Sequence, residues 1–321
     1  GIWRLRGRRY DAIIVFSASP ITAALPAVLL RQSKRAPLVL WVLDLWPETL
    51  AAVGAVRSSG ILWAVGRLVR FIYGRSDLIL PQSMAFVPSI AKHGGDLARV
   101  RYFPGWAEPV FEGGLGDAEV APEVAPYHGT FNVMFAGNIG VSQDFPAILD
   151  AAERLRARAD LRWLVVGDGR AAGWVRDEIN RRGLTSSVIL LGQHPIERMP
   201  AFFKVASALL VSLRDEPAFA QTIPGKVQAY LATGLPIVGM LNGEGARILG
   251  ESGAGLTCTA GDGEALAAQV VALAALPDAV RARMGAAGQH YARLHFGRGG
   301  AVDRIEDWLS TLLSDTSRSH D

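Results

Sequence analysis

One cysteine, Cys258, stands among 321 residues, so no disulfide can close within the chain and a bridge-stapled scaffold is excluded. A reducing, cytoplasmic setting fits that count. Histidine is also sparse: of six, only His290 and His295 stand close, and a spacing of five puts them on different faces of a helix, which argues against a metal pair. The sequence has no G-x-S-x-G, C-x-x-C or G-x-x-x-x-G-K-[ST] pattern. The longest uncharged run, Ala12 to Leu30, is 19 residues, but Pro20 and Pro26 break it and Ser17, Ser19 and Thr22 dilute it. It reads as a buried strand, a turn and a packed helix and not as a membrane span.

What is present is apolar: half of the residues are hydrophobic, 20% charged and 8% aromatic, enough to form cores, and the length suits two domains. The net charge of +3 hides an asymmetry. Up to Val110 there are 14 basic and 6 acidic residues, a balance of +8; beyond it 19 basic and 24 acidic residues give −5. A basic first part suits nucleic acid, an anionic membrane surface or a polyphosphate ligand, or is simply a set of solvated helix faces.

Val-, Ile- and Leu-rich runs at 12–16, 38–43, 78–80 and 100–103 read as parallel strands, with helices near 22–32, 60–73 and 84–92 between them. Residues 108–130, dense in Gly, Pro and acidic residues, read as a linker. A clearer βα series follows in FNVMFAG, LRWLVVG, SVILLG, ASALLVS, LPIVGM and GLTCT, and the stretch 265–313 is helical by composition. The expected organisation is a doubly wound domain over 1–107, a linker over 108–130, a second such domain over 131–296 and a closing helix over 297–321 that packs back on the first. Because the first domain offers fewer strands and the chain starts on Gly1, an incomplete first sheet is expected.

Gly137-Asn138-Ile139-Gly140 and Gly167-Asp168-Gly169 lie at strand-to-helix turns, where glycine lets backbone N–H groups approach a phosphate and is also favoured by any tight turn. The second turn has Ala172 where the dinucleotide fingerprint needs its third glycine, which disfavours a nicotinamide enzyme. In EPAFAQTIPGKVQAYLATGLP, Thr222 is placed to cap a helix over 225–233, with Pro224 in its first turn. Lys226 in that first turn opposes the helix dipole unless an anion sits there; a surface lysine is the other reading. Glu244, between two glycines at a strand's carboxyl edge, suits hydroxyl recognition or an exposed turn. In LDLWPE, Asp44 beside Trp46 suits sugar binding and a base or orienting role, or else a cap for a helix that has Glu48 in its first turn.

FAGNIG, LVVGDG, LLGQHP, TIPGKVQAYLATGLPIV and LNGEGA, in this order, resemble the C-terminal domain of retaining family 4 (group 1) glycosyltransferases of the GT-B fold. LDLWPETL, RSDLILPQS and YFPGWAEPVF resemble the acceptor domain of bacterial enzymes that build surface polysaccharides of the colanic acid and O-antigen type. The resemblance implies two Rossmann-like domains facing across a cleft and transfer of a sugar, with retention, from a UDP- or other nucleotide-sugar to a polyprenyl-diphosphate-linked or saccharide acceptor. It places the diphosphate at Lys226 and the free amides of the stretch Thr222, Ile223, Pro224 and Gly225, in which Pro224 has no N–H, and donor phosphate or sugar at Gly137, Asn138 and Gly140, with Gly167 and Gly169 in the neighbouring turn. His194, in the turn 192–195, borders the base. Asp44, Trp46 and Glu48 fall on the acceptor side. It implies neither metal nor other cofactor, no nucleic-acid partner, and attachment to the inner face of the cytoplasmic membrane, for which ILWAVGRLVRFIYGR offers Leu62, Val65, Leu68, Val69 and Ile72 on one face, a face that equally suits packing in the core. Where the family carries two glutamates eight apart this chain has Gln221 and Ala229, so Gln228 or Glu244 is left to serve as the ribose-binding group, and the family's basic residues after the first strand are absent at 141–143. Two other readings remain open: a non-catalytic nucleotide-sugar-binding subunit, and a sugar-nucleotide epimerase of the same build.

Overall fold

The computed structural model describes residues 7–17 and 19–318. Of the ranges expected from sequence, residues 1–6, 18 and 319–321 lie outside the described residues. Contacts divide the chain into two units, one running to Gly105 and taking in Gln221–Ile223 and the segment from Arg298 on, the other made of Trp106–Ala220 and Pro224–Gly297.

The first unit holds a parallel sheet of β1 (Ile13–Ser17), β2 (Leu38–Val42) and β3 (Leu78–Pro81), in that order. Helices α1 (Leu25–Lys34), α2 (Glu48–Ala52), α3 (Ser59–Tyr73) and α4 (Val87–Lys92) accompany it. Leu38, Leu40, Val42, Ile72 and Phe86 form its core, as a sheet covered by helices requires. Asp77 holds the start of β2 in place: it accepts two hydrogen bonds from Arg31 at 2.7 and 2.6 Å and one from the Leu38 N–H at 2.8 Å. The run 100–103, expected as a fourth strand, forms one bridge, Val100 to Ile79, with the Arg101 and Phe103 N–H groups donating to Ile79 and Pro81. Pro81 has no N–H to return, so the ladder stops there. The closing helix, written α13 (Arg298–Arg318), belongs to this unit, where Trp308 meets Phe103 edge-on at 5.8 Å.

The apolar face of α3 offered above to a membrane is core. Val69 and Ile72 are fully buried, and Val65 and Leu68 pack on the same cluster. The face left in water instead carries Ile61, Trp63 and Phe71, with Trp63 70% exposed, beside Arg67 and Arg70.

In the second unit the six expected runs all form strands: β4 (Phe131–Ala136), β5 (Leu161–Val166), β6 (Val188–Gly192), β7 (Ala208–Ser212), β8 (Ile237–Met240) and β9 (Gly255–Cys258). They make one parallel sheet in the order β6-β5-β4-β7-β8-β9. Helices α5 (Phe145–Arg154), α6 (Ala172–Arg181), α7 (Met199–Phe203), α8 (Pro217–Ala220), α9 (Gly225–Thr233), α10 (Gly243–Ser252), α11 (Gly263–Ala275) and α12 (Asp278–His295) connect and close it. Trp163, Phe135, Phe145, Val175 and Val270 fill the core.

Residues 108–130, read from composition as a linker, are packed onto this unit. Phe111 is buried and stacks on Phe203 at 5.7 Å, and Val124 is buried outright. The Ala121 N–H donates to Ala201, Arg198 binds Glu123 through two hydrogen bonds of 2.9 Å, and Asn132 donates to the Tyr127 carbonyl. A few apolar anchors suffice where overall composition suggests none. No single helix among the described residues is long and apolar enough to cross a membrane.

Candidate functional site

In the second sheet the chain builds outwards from β4 through β5 to β6, then returns to lay β7 on the other side of β4. Between the carboxyl ends of β4 and β7 the loops diverge, which is where doubly wound sheets take ligands. A cavity of about 400 Å³ opens beside that point, over the carboxyl ends of β4, β5 and β6 and against α9. Its floor is the pair of glycine turns. A Cβ on Gly167 would lie 1.9 Å from the Gly137 carbonyl oxygen, and one on Gly137 would lie 2.7 Å from Cε of Lys226. Both residues have φ between +130° and +150°, at +134° and +145°, so glycine is required for shape and for space.

Lys226 crosses that floor from the first turn of α9. Its Nζ lies 3.4 Å from the Phe135 ring centroid, and among the described residues no carboxylate pairs with it. Burial pushes its ammonium down to about 7, because the charged form loses hydration without gaining a counter-ion. Helix α9 begins at Pro224 with no side-chain cap, leaving its first-turn amides to a ligand or to water. Tyr230, one turn on, donates to the Ala136 carbonyl at 3.1 Å and accepts from the Ala136 N–H at 2.9 Å, fixing α9 to the end of β4. A buried cation beside uncapped amides is an anion site.

The far wall comes from the turn after β6 and from α7. His194 receives a hydrogen bond from Arg198 at Nδ1 (3.0 Å), lies 3.0 Å from the Leu191 carbonyl at Nε2 and packs on Phe202 at 4.5 Å. Arg198 is held in turn by Glu123, so the 108–130 segment steadies this wall. Gln193, Ile196, Met199 and Phe203 continue it as a largely apolar slot.

The cavity brings together Gly137, Asn138, Gly167, His194, Gly225 and Lys226 of the residues expected from sequence. Gly169 supports it from below, pressed against Ile139, while Gly140 lines a neighbouring hollow with Asp144, Trp174 and Arg214. Thr222 does not cap α9; it and Ile223 fall with the first unit, and Pro224 is the N-cap and not a first-turn residue. Gln228 and Glu244 lie outside the cavity lining. Gln228 is buried within α9 with its Nε2 unpartnered, and Glu244 is held by two 3.0 Å hydrogen bonds from Arg247 on α10. Glu108, Phe111, Asp168, Phe203 and Tyr230 were missed from sequence. Only the position of Tyr230, four residues after Lys226 and hence on the same helix face, could have flagged one of them.

In the first unit Asp44 follows β2. The N-cap of α2 is Pro47, so Asp44 is not a cap, and among the described residues no hydrogen bond or ion pair reaches its carboxyl. Burial pushes that carboxyl up to about 6. Glu48 Oε1 accepts from Ser89 at 2.7 Å and lies 3.3 Å from His93 Nε2, two contacts the sequence did not show. Glu48 Oε2 and Trp46 Nε1 are buried without partners. Among the described residues no group of His, Cys, Asp and Glu is arranged to hold a metal ion.

Two parallel α/β units, the second with the doubly wound strand order, define the GT-B class of fold. Similarity to known proteins bears this out and goes further for the second unit. Residues 130–275 match the sequence profile of the family described as Glycosyl transferases group 1. The probable glycosyltransferase WbjE of Pseudomonas aeruginosa is 25% identical over 270 residues, 82% of this chain and 66% of that protein. Among solved structures, Anabaena Alr3699/HepE in complex with UDP superposes with a TM-score of 0.74 at 17% identity, over 97% of this chain and 80% of that one. An α,α-trehalose-phosphate synthase (UDP-forming) from Burkholderia xenovorans superposes with a TM-score of 0.71 at 15% identity, over 95% and 77%.

Proposed function

We propose that this chain is a glycosyltransferase that moves a hexosyl or N-acetylhexosaminyl group, with retention, from a UDP-sugar to a lipid-linked or saccharide acceptor in the building of a bacterial surface polysaccharide. The observation that carries the reading is Lys226: a buried cation without a counter-ion, set at the switch point of a doubly wound sheet beside uncapped helix amides. A nucleoside diphosphate supplies the missing anion, and the apolar slot by His194 suits its base. The similarity to a UDP complex of HepE supports the choice of nucleotide.

In the reaction the bond from the sugar's anomeric carbon to the diphosphate oxygen breaks while the acceptor oxygen bonds to that carbon from the same face. The acceptor proton passes to a diphosphate oxygen. Lys226 and the α9 amides stabilise the charge that builds on the leaving group, so we propose neither a metal nor another cofactor. No side chain is assigned as a covalent nucleophile. Asp44, Trp46 and Glu48 are assigned to the acceptor, with Asp44 orienting the hydroxyl whose proton the diphosphate takes.

We place the protein in the cytoplasm at the inner face of the membrane. Residues 49–76 contain four arginines and no acidic residue, and the exposed side of α3 presents Ile61, Trp63 and Phe71 among them, a composition suited to an anionic lipid surface. Calorimetry with UDP and GDP, followed by turnover of a UDP-sugar panel with a polyprenyl-diphosphate-sugar acceptor, tests the main reading. Binding without turnover of any donor favours the non-catalytic subunit, the reading that Ala229 supports by leaving a methyl in the cavity wall.

A further inference from the structure

Neither group left by the sequence to hold the nucleotide's hydroxyls lines the cavity: Gln228 is buried in α9 and Glu244 is paired with Arg247 on α10. The cavity wall carries two carboxylates, Asp168 and Glu108. Asp168 is engaged in the glycine turn, its Oδ1 accepting from the Gly169 N–H at 2.7 Å. Glu108 is different. Its main-chain carbonyl accepts from the Phe111 N–H at 3.0 Å, and the stack of Phe111 on Phe203 anchors that short turn to the cavity. Its side chain caps nothing, and among the described residues it makes no hydrogen bond or ion pair. Glu108 lines the cavity together with Ala229 and Tyr230 of α9, and the phenol of Tyr230, lifted mainly by burial, also feels its charge. Ala229 and Tyr230 stand one turn along the helix from Lys226. A nucleoside diphosphate with its phosphates at Lys226 and its base in the slot by His194 has its ribose between the two.

Resting on the donor-site reading above, we propose that Glu108 is the ribose-binding carboxylate of this chain, accepting hydrogen bonds from the 2′- and 3′-hydroxyls of the nucleotide. A carboxylate accepts from a vicinal diol with both oxygens, and such charge-assisted bonds are the stronger kind. It also makes the site selective for ribonucleotides, since a ligand without the diol forgoes those bonds and leaves Glu108, which is exposed, to water.

The test is a cycle of two ligands and two proteins: UDP and 2′,3′-dideoxy-UDP binding to wild type and Glu108→Ala, with Glu108→Gln as the conservative variant and a thermal melt as the control for folding. UDP affinity is expected to fall about tenfold in Glu108→Ala and less in Glu108→Gln, while dideoxy-UDP binds wild type and variant alike. Equal losses for both ligands, no loss, or tighter UDP binding once the negative charge is gone each overturn the assignment while leaving the donor site standing. If wild type binds neither UDP nor GDP, the donor-site reading falls first and this one with it.

Discussion

Each unit sets a carboxylate or amine apart from any opposite charge among the described residues: Lys226 in the second, buried and pushed down to about 7, and Asp44 in the first, half-buried and pushed up to about 6. Both shifts have desolvation as their cause, yet the surroundings differ. Lys226 is set in a cavity with uncapped amides and two glycine turns cleared to the backbone, all of which favour an incoming anion. Asp44 is followed along the chain by Trp46 and Glu48, whose indole N–H and one carboxylate oxygen are buried and themselves unpartnered. On the function proposed above, one unit is prepared for a formal charge and the other for a neutral, hydroxyl-rich group. An isolated buried charge is costly, so each is a place where the fold gives up stability for binding.

The sharpest way to break this contrast is Lys226→Ala. Nucleoside diphosphate affinity is expected to fall roughly a hundredfold, the scale of truncating one partner of a buried charge pair. Asp44→Asn is expected to leave that affinity unchanged and to slow transfer to the acceptor. Calorimetry on both variants decides, and a comparable loss of nucleotide binding in Asp44→Asn would erase the distinction.

The pH dependence is the next largest effect. The diphosphate binds the protonated amine, so a bound anion raises the ammonium above its free value of about 7 and binding takes up a proton between the two. Affinity is therefore expected to weaken by up to about tenfold per unit as pH rises from 7.5 to 9.5, where the phosphate, with its second ionisation near 6, no longer changes charge. A flat profile over that range would mean that Lys226 is not the group the anion meets.

The same contrast shows what a sequence can reveal. The second sheet was legible strand by strand, because each run is a short apolar stretch of strand length, three of the six closed by glycine. Lys226 was legible because a cation in a first helical turn contradicts the dipole. Glu108 was not, since it lies in a segment whose composition reads as linker, and only the seating of Phe111 on Phe203 brings it to the cavity. The face of α3 was left open between membrane and core because helical periodicity gives the angle between two stripes but not which one meets the sheet. The choice was made by Val69 and Ile72 against Phe86 and Leu40, contacts distant in sequence.

The smallest expected effects are on stability, and their signs distinguish the two sites. Lys226 has a folded value below its unfolded one, so folding releases a proton between about 7 and 10.5 and stability without ligand rises with pH across that window. Lys226→Met, which keeps the stem and deletes the amine, is expected to stabilise the ligand-free protein by about 1 to 3 kcal/mol at pH 7 and by less at pH 9. Asp44 has its folded value above its unfolded one, so its favourable protonated state is fully present below about 4 and is lost as pH rises through about 6. Asp44→Asn, a neutral substitute of the same shape, is expected to add about 1 kcal/mol or less at pH 8, discounted for partial exposure, and nothing at pH 4. Thermal melts of the two variants across pH 4 to 9 therefore separate them: the gain from Lys226→Met shrinks towards alkaline pH, while that from Asp44→Asn shrinks towards acid. Curves that move together with pH would show that the two groups are not the opposite kinds of site that their surroundings describe.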